Sequence, residues 1–590
     1  RGFDARNNLF YVNDGADIVF HAAGAGIVQN LSTSTQSFYL KHTDDIICLC
    51  INQHPKFKNI IATGQIGNVP CVHIWDSTTK ETLSVVQGGH SKGICSVDFS
   101  CSGKNLVTVG LEDEHNLIVW RWQDGAKVAM APGHTQRIFR AEFRPDSDTQ
   151  LVSVGVKHVK FWSIAGSQLV GKRGILTNTG AAGVVKMQTM LSLAFGANNV
   201  TYTGAMNGDV YVWQESSILR IVQKAHTGPV FAMFTTLRDG LIITGGKEML
   251  SKDNGPVKLW DQEMKKCKVF PLKESGSTAD VAKSVCRAKG KILVGTKDNS
   301  VLEISEKTGS VQVIVAGHGE GEVWGLDRHP LTSKFITASY DDTVRLWDIP
   351  SRSLVAKLNV PGARSVAFSP DGELIAVGLK TGEFVVLTTT GLKLWGRKRD
   401  RAGCITDIRF SPNSKILAVG SDDKCVDFYD LTQGMSLKRV NFCKDLTSFI
   451  ISMDFSSDSS YIRICTGAYV NQVYNVPAGS LVEDKAVANK ITWASWTSIV
   501  GQDVLGIWPR NSGKDDVNCA HLSHLGNSLA TGDDSGLVKL FNFPCPDKFA
   551  QFRKYEGHSA HVTNVRFMYD DRHLVSTGGD DCCVFVWKCL

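Results

Sequence analysis

At 590 residues the chain is too long for one hydrophobic core, and 43% hydrophobic with 21% charged residues excludes a disordered or fibrous chain. A net charge of +6, from 64 basic and 58 acidic residues, permits an acidic partner but is too weak to mark a nucleic-acid binder, and no apolar run has membrane-spanning length. The 16 cysteines are scattered without a C-x-x-C pair or zinc spacing and read as reduced core residues of a cytosolic protein, while 55 Gly against 16 Pro suits many tight turns between short strands.

The predicted elements are short strands in a repeating unit. Residues 8–40 hold three runs, broken at Asn13-Asp14-Gly15 and around Gly24 to Gly26. Residues 44–75, preceded by His42, form the first unit with a terminal Trp; 89–120 and 133–162 follow, each opened by Gly-His. The unit at 191–213 lacks the leading His, 226–260 has a longer turn, and 280–305 keeps the rhythm without His or Trp. Gly317-His318 restarts the cycle. Three degenerate units follow (363–387, 404–429, 449–474), two of them with Ser-Pro turns at Ser369-Pro370 and Ser411-Pro412. Residues 517–541 and the unit opening at Gly557-His558 end the series.

Two units share one ruler: His318, Thr337, Asp341, Trp347 and His558, Thr577, Asp581, Trp587 each run His, +19, +23, +29. An indole N–H, a hydroxyl, an imidazole and a carboxylate can pass hydrogen bonds in series, clamping the loop before a first strand to the turn after the second. A catalytic acid/base pair is needed once, whereas this set recurs, so it reads as structural. With Gly-His starts and Trp-Asp ends (Trp75-Asp76, Trp260-Asp261, Trp347-Asp348), the chain resembles the WD-repeat family, which implies β-propellers of four-stranded blades. Some thirteen units exceed one ring of about 4–8 blades. The expected fold is therefore all-β, with two tandem WD-repeat propellers of about seven blades each, over residues 1–312 and 313–590.

Residues 489–510 break the rhythm, and their Trp493, Trp496 and Trp508 stand off the repeat position. They read as an exposed binding platform or, by preference, as an apolar seam between rings or closing the second one. This insertion, ITWASW…GIWP, resembles the echinoderm microtubule-associated-protein-like family, together with the opening RGFDARNNLFY, the run Lys157-His158-Val159-Lys160-Phe161-Trp162 and GHSAHVTNVRF. The resemblance covers essentially the whole chain and implies a tandem propeller core whose second ring is atypical. It also implies a non-enzymatic protein of the cytoplasm and cytoskeleton, the ciliary axoneme included, that binds tubulin or microtubules and influences their organisation. A general adaptor without tubulin contact is the alternative. Arg1-Gly2 resembles the end of the family's hydrophobic leader motif, and no a/d heptads mark its coiled coil, so the chain is expected to be one core of a longer, multi-core member.

No G-x-x-x-x-G-K-[ST] or H-E-x-x-H occurs, and the Asp pairs at 341–342, 422–423, 533–534 and 580–581 all fall in the repeat turn. No enzyme, cofactor or metal is expected. The surface offers three basic features, all read as loops: Lys172-Arg173, Lys247 with Lys252, and Arg397-Lys398-Arg399-Asp400-Arg401. Glu248 and Asp253 beside the two lysines favour plain solvated charge there. The 397–401 run is either solvated charge or a contact for an acidic protein such as tubulin; no aromatics interleave with it to suit nucleic acid, and neither nucleic acid nor a membrane is an expected partner of the chain.

Overall fold

The computed structural model describes residues 6–176, 186–236, 239–248, 255–272, 281–444, 446–508 and 516–590. They fold as short antiparallel strands in two compact units, Arg1–Gly317 and His318–Leu590. The outer strand Val311–Val315 pairs with Val301–Ser305, so the first unit runs past the expected boundary at 312.

The described residues of the first unit form seven four-stranded meanders, two of them joined at their outermost strands where Met130 pairs with Gln168. The innermost strands, such as Met190–Phe195, are covered on both faces by neighbouring sheets, and all six of its residues are buried. Outer strands face solvent on one side, which is why Ser353–Asn359 in the second unit alternates exposed and half-buried positions. Glycine recurs where the second strand of one sheet meets the inner strand of the next: a Cβ on Gly378 or Gly532 would stand 2.4 Å from a methyl of Ile405 or Val562. The first ring closes where Phe10–Val12 lies beside Ala282–Ala288 and the Asn7 N–H donates to the Lys283 carbonyl at 3.1 Å.

The described part of the second unit holds six sheets, four with four strands and two with three. Its ring closes where Asn564 donates to the Trp324 carbonyl at 3.2 Å and Thr563 Oγ1 to that of Val323. Between the inner strands Ile450–Phe455 and Val517–Leu522 the described residues form no further regular sheet. The irregular segment fills that gap: Ala494 N–H donates to the Phe455 carbonyl, and Leu522 N–H to that of Trp496. Trp493 pairs antiparallel with Ser456, so the segment runs opposite to the inner strand beside it.

Candidate functional site

At His318 the four spaced residues lie in one series of hydrogen bonds. Trp347 Nε1 donates to Thr337 Oγ1 at 2.9 Å, Thr337 Oγ1 meets His318 Nε2 at 2.7 Å, and His318 Nδ1 meets Asp341 at 2.9 Å. The indole's proton, with Nδ1–H given to the carboxylate, leaves the Thr O–H to donate to Nε2. Asp341 also accepts from the Gly319 N–H, Thr343 and Arg345. Burial alone would raise the Asp341 carboxyl, but His318 and these donors hold it well below the usual carboxylate range.

The terminal tetrad corrects one residue. Trp587 and His558 both bond the hydroxyl of Ser576, each at 2.8 Å, and His558 Nδ1 meets Asp581 at 2.9 Å. Thr577 points to the other face of its strand and bonds Thr563 at 2.9 Å. Strand pairing explains the shift: Val562 pairs with Gly578 as Val323 pairs with Ser339. Here the lead from His to strand is one residue shorter and the turn before Asp one longer, so the His-to-Asp spacing survives while the +19 position changes face.

Related chains recur with varied ends. Trp120, Thr108, His90 and Glu112 form one, and Trp260, Thr244, His226 and Glu248 another. Glu248 also pairs with Lys258 at 2.8 Å, and despite burial these two partners pull its carboxyl down to about 2. In the 133–162 unit the imidazole comes from His158, not His134, through Ser153 to Trp162. In the first Trp unit the acid is replaced by neutral Gln65, on His42 Nδ1 at 2.7 Å. Beside that imidazole lie Cys71 and His73.

Burial lowers the His158 imidazole to about 3 and moves His226 and His318 the same way. With folded pKa values below the ordinary value of about 6.5, stability is full above that pH and is lost as pH falls toward the folded values. Denaturation midpoints are therefore expected to fall steadily from about pH 6.5 to about pH 4. A flat profile over that window would mean that these imidazoles are not held neutral in the fold.

The three tryptophans of the irregular segment are half-buried, and Trp496 and Trp508 pack against a buried apolar cluster of the second unit. The Arg463 guanidinium lies 4.7 Å from the Trp493 ring and 4.0 Å from that of Trp496. Trp496 packs edge-on against Phe543, and Trp508 edge-on against Tyr469. Asp454, buried, takes Arg463 at 2.8 Å, Ser495 at 2.7 Å and the Thr497 N–H at 3.0 Å, fixing the segment to the inner strand.

The basic features lie elsewhere than expected. Arg397, Lys398 and Arg399 sit in the outer strand Leu394–Arg399, not in a loop, with Arg397 and Arg399 exposed. Arg401 is structural: it grips buried Asp427 with two bonds of 2.8 and 3.0 Å, and neighbouring Asp400 accepts from Tyr429. The outer strand of the adjacent sheet, Lys438–Cys443, carries exposed Lys438 and Arg439, the latter 3.4 Å from Asp427. Lys172 and Arg173 likewise end an outer strand, Gln168–Arg173, and Lys252 lies outside the described residues.

Two family models match the chain: "Echinoderm microtubule-associated protein first beta-propeller" over residues 35–304 and "second beta-propeller" over 323–589. The chain is 34% identical over 602 residues to the 77 kDa echinoderm microtubule-associated protein of Lytechinus variegatus, covering 100% of this chain and 88% of that protein. It is also 34% identical to Homo sapiens echinoderm microtubule-associated protein-like 1 over 607 residues and to Homo sapiens echinoderm microtubule-associated protein-like 2 over 604. The alignments cover all of this chain and 72% and 90% of those relatives.

Proposed function

This chain belongs to the echinoderm microtubule-associated protein family, and on that footing we propose that it is a non-enzymatic, microtubule-associated protein whose propellers contact tubulin. The observation that carries this reading is similarity along the full chain, through both rings, to proteins named for microtubule association. It supports a cytoskeletal location. The contact we propose is the outer strands carrying Arg397, Lys398, Arg399, Lys438 and Arg439, because a cluster of cations, four of them exposed and Lys398 half-buried, suits an acidic protein surface. Lys172 and Arg173 offer another such strand on the first ring.

Co-sedimentation of the chain with microtubules over a salt series tests the reading. Binding is expected at low salt and should weaken as the screening length drops toward about 8–10 Å. Changing Arg397, Lys398 and Arg399 to Ser, with Arg401 kept for its grip on Asp427, should reduce low-salt binding several-fold and flatten the salt dependence. The fold should hold, since such exposed charges contribute only about 0–1 kcal/mol to stability. Equal binding by the variant at every salt would remove this strand from the contact, and no binding by the parent would leave the adaptor reading.

A further inference from the structure

Beyond any role on microtubules, the first ring holds a group of side chains with the chemistry of a metal site. Cys71 and His73 lie two apart in the strand Cys71–Asp76, so both project from the same face. His42, in the lead to the strand Ile46–Ile51, lies beside them with its ring centre 4.2 Å from that of His73 and the two rings tilted by 40°. All three are buried, and one donor atom from each lies within 4.8 Å of the others. Tyr39 Oη holds His73 Nδ1 at 2.7 Å and itself meets Thr82 at 2.7 Å, which orients the ring and leaves Nε2 as its open donor. Among the described residues neither His73 Nε2 nor Cys71 Sγ has a hydrogen-bond partner.

Gln65 makes this unit different from its relatives. Glu112, Glu248, Asp341 and Asp581 tie four of the other imidazoles with a carboxylate, whereas His42 Nδ1 is met by a neutral amide, itself held by Thr43 and the Val69 carbonyl. His42 Nε2 would keep its 2.7 Å bond to Thr63, and Trp75 its 3.1 Å bond to the same hydroxyl, so the structural chain survives when Nδ1 changes partner. Zinc bonds of about 2.0–2.3 Å set tetrahedral ligand atoms about 3.5 Å apart, so the donors need to close by about an ångström.

We propose that His42, Cys71 and His73 bind one borderline-soft divalent cation of the zinc type, through two imidazole nitrogens and one thiolate. Binding forms the metal–sulfur bond as the Cys71 thiol releases its proton to solvent. Water or the Gln65 amide oxygen takes the fourth position. The ion locks the lead into the second sheet of the ring onto that sheet's third strand.

The test is titration of the full chain, stripped of metal, with Co²⁺ and then Zn²⁺. One Co²⁺ per chain is expected to give thiolate-to-cobalt charge transfer and the strong visible bands of four-coordination, both displaced by Zn²⁺. Cys71→Ser should abolish the charge transfer, and His73→Gln should weaken binding at least tenfold. Zinc-edge X-ray absorption on the unmutated chain, which depends on no variant, should count one sulfur and two imidazoles around the ion. No charge transfer in the parent, its persistence in Cys71→Ser, or a different ligand count would overturn the assignment.

Discussion

Replacing Asp454 by Ala is expected to destabilise the second unit by about 3–5 kcal/mol, the range for removing one partner of a buried ion pair. The carboxylate is 1% exposed and its partner Arg463 6%. Its loss strands the guanidinium between two indole rings and strips the Thr497 N–H and the Ser495 hydroxyl of their acceptor. Because this residue fastens the irregular segment to the inner strand, proteases should cut first within residues 491–508. Thermal unfolding with limited proteolysis decides it. An unchanged midpoint and cleavage pattern would show that the ring closes there without the clamp.

Asp341→Ala should cost a similar amount, about 3–5 kcal/mol, for the same reason. One carboxylate serves His318, Thr343, Arg345 and the Gly319 N–H, with Arg345 only 4% exposed. The wild-type advantage should shrink in acid. The folded carboxyl titrates below its ordinary value, so its contribution is complete above about pH 4 and disappears as pH falls toward the folded value. Urea denaturation of both proteins from neutral to acid pH measures this, and a gap that did not narrow below pH 4 would mean that the charge of Asp341 plays no part.

The propeller architecture was legible because indole and hydroxyl keep fixed places: Trp75, Trp120, Trp260 and Trp347 each donate to a Thr of the second strand. The acid end was not, since Gln65, Glu112 and Glu248 vary in type and in turn length. The choice of Thr577 failed for a related reason, because two offsetting length changes place a second hydroxyl-bearing residue at the expected spacing. Arg401 was invisible as a structural residue because its partner, Asp427, lies 26 positions on in a buried strand. The metal-type cluster escaped a search for paired cysteines because its third member, His42, comes from a separate lead segment.

Ring closure also sets the order in which this chain can fold. The bonds that seal the second ring join residues 240 positions apart, and those at Asn8 and Ser284 in the first join residues 276 apart. Contacts of such sequence separation must bear their loop-closure entropy before they return any stability. On the ribosome the first strand of each ring, Phe10–Val12 or Val323–Arg328, waits with one flank bare until the last sheet of its ring has emerged. Truncation within either terminal sheet should therefore produce an open, aggregation-prone arc of blades and not a smaller propeller.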